Sequence, residues 1–309
     1  MVEQKMWNDK RYHSLDYYLK NEYGEKIYKL SLNGGMTCPN RDGTLGFNGC
    51  IFCSEGGSGD FASSSLLSIT KQIENAKSLI KDKSTSSKYI AYFQAFTNTY
   101  GPIGHLRSIF YEAIMNPDVV ILSIATRPDC LSDEVLALLD ELNRIKPVWI
   151  ELGLQTIHEE SALLIRRGYD LSCFDSAVLK LSNLNISIIV HVILGLPYET
   201  ADDMLETISY VSRLPINGIK LQLLHILKNT DLACLYNDNG FQILTLEEYT
   251  DIVIRSIEIL PKHMVIHRIT GDGPKSLLIE PLWSTNKKHV LNTINKEFKS
   301  RDTWQGRLL

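Results

Sequence analysis

Residues 29–53, KLSLNGGMTCPNRDGTLGFNGCIFC, join a short apolar strand candidate to a glycine-rich loop carrying three cysteines. Eleven residues separate Cys38 from Cys50, and two separate Cys50 from Cys53. Thiolates bind zinc and iron–sulfur clusters alike, so the close pair alone is ambiguous. A structural zinc would need a fourth ligand, and an ordinary electron-transfer cluster takes four cysteines. Cys130, Cys173 and Cys234 stand singly, with no second CxxC pair, and read as buried thiols. Three thiolates on a four-iron cluster leave one iron open to a reactant. Glycines 43, 46, 49, 56, 57 and 59 would let the backbone wrap closely round it.

The strand that opens this stretch is the first of six β-branched apolar runs, at 26–32, 89–95, 119–125, 148–153, 186–194 and 218–224. Amphipathic helical stretches fall between them, near 66–80, 105–115, 132–143, 159–166, 174–184 and 201–213. Such alternation is the sequence form of repeated βα units around a parallel sheet. The fold class is therefore α/β, a partial (β/α)6 TIM-like barrel with an N-terminal lead-in and a C-terminal extension. Six units are fewer than the eight of a closed barrel, so the sheet stays open on one side or is closed by the terminal segments. A helix near 245–260, a possible strand at 264–269 and a helix near 287–299 follow. The simplest division is 1–260 for barrel and lead-in, and 261–309 for an extension packed on it. The cysteine loop follows the first strand, at the end where α/β barrels place their active sites.

With 309 residues, 44% hydrophobic and 22% charged, the composition is that of a soluble globular protein. A net charge of -4 gives no general preference for nucleic acid, so RNA binding would rest on a local basic surface. Residues 287–309 offer one, with six basic and two acidic side chains. No apolar run reaches the roughly 18–20 residues of a membrane span, and residues 1–10 are polar. A cytoplasmic protein with no membrane partner is expected, its cysteines acting as ligands or thiols.

The ending Cys50, Ile51, Phe52, Cys53 resembles the cluster loop of the radical S-adenosylmethionine (SAM) superfamily, which closes on cysteine, any residue, aromatic, cysteine. The wide first gap resembles the branch containing the Elongator catalytic subunit. The phrases KLSLNGGMTCPNRDG, YFQAFTNTY, SIATRPDCL, ELGLQT, HVILGLPYET, LLHILKNTDL and HRITGDGP are similar to those of the bacterial YhcC/YtqA-like group, over about residues 10–300. The resemblance implies a 4Fe-4S cluster held by Cys38, Cys50 and Cys53, with SAM chelated on the open iron. An electron from a reductase would cleave SAM to a 5′-deoxyadenosyl radical that abstracts hydrogen from the substrate.

The same resemblance implies roles position by position. Phe52 would pack near adenine. The family's glycine-rich methionine-binding turn is replaced by residues 94–98, leaving Gln94 and Asn98 as amino-group contacts. No carboxylate ends the third strand, and Thr126 is the candidate ribose contact there. Gln155 resembles a ribose or methionine contact of the oxygen-independent coproporphyrinogen oxidases. Arg167 matches their arginine for the SAM carboxylate, with Arg166 as the fallback, and His191 stands where they place an acidic ribose ligand. Lys220, Gln222, His225, Lys228, Arg268 and Asp272 form either a polar substrate pocket or an ion-pair network holding the extension. Kinship with the Elongator branch implies a tRNA substrate, modified on the C5 side chain of wobble uridine. An anaerobic oxidase of a small molecule and a non-catalytic, metal-stabilised RNA-binding module are the alternatives.

Overall fold

The computed structural model describes residues 5–57, 59, 62–81, 86–271 and 273–309. Asp272, one of the expected substrate residues, lies outside them. The strands are β1 (Tyr28–Leu32), β2 (Tyr89–Phe93), β3 (Val119–Thr126), β4 (Val148–Gln155), β5 (Ser187–Leu194), β6 (Gly218–Leu223), β7 (Ile226–Leu227), β8 (Val265–Arg268) and β9 (Leu278–Glu280). β1 to β6 and then β8 form one seven-stranded parallel sheet in that order, while β7 pairs antiparallel with β9. All six expected strands are present, and β8 adds the run at 264–269 as a seventh. Residues beyond 260 therefore contribute a strand to the sheet itself.

Side-chain contacts across the concave face show that the sheet curls. Lys29 on β1 meets Glu151 on β4 at 2.6 Å, and Lys220 on β6 meets Tyr92 on β2 at 3.1 Å. In a flat sheet, strands three and four positions apart would lie roughly 14 and 19 Å from one another at about 4.8 Å per strand. The result is a half-barrel whose edges, β1 and β8, do not pair with each other. A bridge from Ser14 to Ile266 lays the lead-in along β8.

Parallel strands buried on both faces read as continuous apolar runs, and β2 (YIAYF) is buried at every position. Their outer faces and the surrounding helices build the main core, which includes Phe93, Phe110, Leu139, Phe174 and Ile208. Helix starts follow local chemistry. Ser132 caps the helix Asp133–Asn143 by accepting from the Val135 N–H, and capping boxes open Ala201–Ser212 and Leu246–Glu258.

Two helices without a strong periodic signal decide the ends of the half-barrel. α1 (Leu15–Tyr23) packs Leu19 against Ile90, Ile121, Trp149 and Ile189, which plugs the interior from below. The helix Asp231–Asn239 sits at the other end, where Leu232 and Ala233 pack with Ile51 of the cysteine loop. The C-terminal tail ties to the lead-in: Gln305 accepts from the His13 N–H at 2.8 Å and donates to the carbonyls of Pro261 and Met264 at 2.7 and 2.8 Å.

Candidate active site

A cavity of about 270 Å³ opens at the C-terminal ends of the sheet strands, where loops, freed from the ladder, can present side chains. Cys38, Cys50 and Cys53 line one wall, all free thiols. The loop that carries them is held by its own backbone and one arginine. Arg41 and Asp42 donate to the Cys38 carbonyl at 2.8 and 3.2 Å, and the Gly49 N–H donates to the Asn40 carbonyl at 2.7 Å. The Arg41 guanidinium reaches the carbonyls of Ser54 at 2.6 Å and Cys53 at 3.3 Å. Gly49 has φ +71, and a Cβ there would sit 2.9 Å from Arg41 Nε, so this turn requires glycine. Ile51 anchors the loop, donating to Ile165 at 3.3 Å and accepting from Leu232 at 2.9 Å.

The opposite wall is built around Glu151, which is 1% exposed. Its Oε1 accepts from Lys29 at 2.6 Å and from Ser123 at 2.8 Å; its Oε2 accepts from His191 at 2.8 Å and from Lys220. Burial alone would raise this carboxyl, but Lys220 and Lys29 hold it well below the usual range. With two donors on each oxygen, Glu151 is a saturated counter-ion and has no lone pair left to act as a base. Burial, together with the cations Lys29 and Arg268, lowers Lys220 to about 7 against the pull of Glu151. Burial and then Lys220 lower His191 to about 4, leaving a neutral imidazole at neutral pH. Lys220 spends donors on Glu151 and Tyr92 and keeps a third N–H for the cavity.

The structure brings most expected site residues to this cavity. Phe52, Gln94, Thr126, Gln155, Arg167 and His191 line it, and so do Lys220, Gln222, His225 and Arg268. Gln155 has φ 69, outside the strand region, and its buried Oε1 has no hydrogen-bond partner among the described residues. An orphaned acceptor at a cavity wall awaits a donor from a bound molecule. Arg167 faces the cavity but is 2% exposed, and its donors are taken by the chain: Tyr169 O at 2.9 Å, Thr156 O at 2.7 Å, Leu154 O at 3.4 Å and Glu159 at 3.4 Å. Arg166, the fallback, pairs with Asp231 on the surface.

Two expected residues do not line the cavity. Asn98 is fully buried behind it, its amide donating to the carbonyls of Phe93 at 3.1 Å and Ala125 at 2.9 Å, which clamps β2 to β3. Lys228 stands exposed beyond β7 and donates to Ser276 O at 3.1 Å. Sequence reasoning missed Glu151, Tyr92, Arg127 and Tyr169, all cavity residues. Tyr169 lies between two guanidiniums, those of Arg127 and Arg167, each 5.0 Å from its ring. A charged residue inside the apolar run VWIELGLQ was the available signal for Glu151.

A model of the radical SAM superfamily matches residues 40–211, and one of the Radical SAM C-terminal domain matches 216–300. The protein YtqA of Bacillus subtilis (strain 168) is 47% identical over 299 residues, covering 97% of this chain and 93% of that one. The chain belongs to the radical SAM superfamily. A tRNA uridine(34) acetyltransferase of Methanocaldococcus infernus is 23% identical over 170 residues, 54% of this chain and 31% of that protein. The solved Elp3 of the same archaeon shares the fold, with a TM-score of 0.68 and 15% identity over 90% of this chain and 64% of that one.

As a radical SAM enzyme the chain uses a 4Fe-4S cluster and SAM. Its residues fit both. Cys38, Cys50 and Cys53 converge on one cavity, whereas Cys130 lines a separate groove with Asp129. A hydrogen bond from Cys53 lowers the Cys50 thiol to about 7, against burial and with help from Arg127, so a thiolate ligand forms readily. The orphaned Gln155 acceptor faces the same space that SAM would share. Among the described residues no helix is long and apolar enough to cross a membrane.

Proposed function

We propose that this radical SAM enzyme modifies the C5 side chain of the wobble uridine of tRNA, with an external reductase as electron donor. The observation that carries the reading is the match of 170 residues, 54% of this chain, to a protein named as a tRNA uridine(34) acetyltransferase. When bound, cluster and SAM supply a carbon-centred radical that removes hydrogen from a substrate carbon. The protein's part is to bind, orient and shield. Cys38, Cys50 and Cys53 hold the cluster; Phe52, Gln94, Thr126, Gln155 and His191 surround SAM, with Arg167 as the clamp that shapes their wall. Lys220, Gln222, His225 and Arg268 face the substrate. Glu151 fixes Lys220 and His191, so that the third Lys220 N–H and the bare Nδ1 acceptor of His191 remain for it.

The half-barrel gap leaves a way in for a macromolecule. Trp283 donates to the Leu244 carbonyl at 3.1 Å, and Leu244 packs on Gly195 at the end of β5. This contact sets the start of α10 (Lys287–Ser300), with exposed Lys287 and Lys288, at the cavity end of the sheet. Lysines there would meet phosphate, which makes binding salt dependent.

Nucleoside mass spectrometry of tRNA from cells with and without the protein tests the reading. The modified uridine should be missing from tRNA of the deletion strain, and its precursor lacking that change should accumulate there. Joint replacement of Lys287, Lys288, Lys296 and Lys299 by alanine should weaken salt-sensitive tRNA binding and spare SAM cleavage. An unchanged nucleoside profile together with no salt-sensitive binding would defeat it and favour a small-molecule oxidase.

A further inference from the structure

Asn40, two residues after Cys38 in the cluster loop, is 5% exposed. Its Nδ2 stands 2.6 Å from the Arg166 carbonyl and 3.4 Å from Cys50 Sγ. A carboxamide nitrogen carries two hydrogens, and both neighbours are acceptors, so each hydrogen has one partner. The opposite amide orientation would set Oδ1 against a carbonyl oxygen and a thiolate, and the network excludes it. Cys50 Sγ also lies 3.6 Å from the Arg166 carbonyl, a contact that needs the thiol proton. A thiolate ligand has no such proton, so sulfur and carbonyl then repel and the Asn40 amide is the donor between them. The room it occupies exists because position 168 is glycine at φ +81, where a Cβ would come within 2.8 Å of Asn40 Oδ1.

We infer that Asn40 is a positioning residue that acts through Cys50, its side-chain N–H raising the reduction potential of the cluster. Hydrogen bonds to cluster sulfurs stabilise the more negative, reduced form over the oxidised one. The bond is partly buried, where the interaction is stronger than at a fully exposed surface. Its effect is to ease entry of the electron. The inference rests on the superfamily's cofactors and not on the RNA reading, so either can fail alone.

The test uses the full chain with its cluster reconstituted anaerobically, titrated with dithionite and followed by electron paramagnetic resonance. Asn40→Ala should keep its iron and show a more negative midpoint potential, so that less cluster is reduced at a given solution potential. Iron retained at an unchanged or more positive potential would overturn the inference. Should Asn40→Ala fail to hold iron, the reduced wild-type protein labelled with side-chain 15N asparagine decides. A hyperfine coupling between that nitrogen and the cluster supports the bond, and its absence rejects it.

Discussion

The two walls of the cavity are made in different ways. The cysteine wall is one contiguous segment, residues 38–57, folded on itself by hydrogen bonds between residues a few positions apart. The Glu151 wall collects Tyr92, Glu151, His191, Lys220 and Arg268, with Lys29 and Ser123 bonded to Glu151, from seven different strands. The first can be altered without disturbing the sheet, while the second is part of what holds the curled sheet together. The cluster ligands sit on a loop, while the wall opposite joins site residues to a buried charge network that also holds the sheet.

The largest effect expected on the fold follows from Glu151→Ala. Removing the one carboxylate leaves Lys220 buried and Lys29 half-buried without an anion, at a cost of about 3–5 kcal/mol. Denaturant unfolding of the apo chain measures it, and a loss under about 1 kcal/mol would mean that the two walls do not differ as described.

Arg167→Ala comes next. It strips donors from the carbonyls of Thr156, Leu154 and Tyr169, and a buried acceptor left unmade costs about 1–3 kcal/mol. SAM affinity of the folded variant, measured by anaerobic calorimetry, should hold near wild type. A stable variant that no longer binds SAM would move Arg167 from clamp to ligand.

A pH effect on the same wall is spread over a window rather than concentrated in one substitution. His191 falls from 6.5 to about 4 in the folded protein, so between those values the unfolded chain binds more protons. The stability it contributes is complete above pH 6.5 and is lost as pH falls towards 4, with a slope of at most about 1.4 kcal/mol per pH unit. Stability curves of wild type and His191→Asn over this window should differ in slope; parallel curves would contradict a neutral buried imidazole.

The smallest effect on the fold is expected from Cys38→Ala, Cys50→Ala and Cys53→Ala. Each should abolish the iron absorption of the reconstituted protein yet change apo stability by less than about 1 kcal/mol. A cysteine variant that keeps the brown chromophore would break the comparison from the other side.

Legibility in the sequence divides along the same line. The strand runs and most helices could be read because burial on both faces leaves a continuous apolar run and a helix leaves a three-to-four period. The cysteines could be read because spacing within one loop is a local quantity. Asn98 was misplaced for want of its direction: its side chain turns from the cavity to bridge Phe93 and Ala125. Arg167 was read from resemblance as the contact for the SAM carboxylate, whereas the pairing of its donors with the carbonyls of Leu154, Thr156 and Tyr169 depends on where β4 ends.

By itself, then, the chain's sequence determined the parallel βα repeat, the three-thiolate loop at the C-terminal end of β1, and the superfamily. Those properties depend on neighbours within a turn, a strand or a loop. The Glu151 network, the plug by α1 and the seating of the cysteine loop against the helix Asp231–Asn239 were decided only by tertiary structure. Each joins residues tens to more than a hundred positions apart, and nothing short of the sheet's curl brings their side chains within hydrogen-bonding distance.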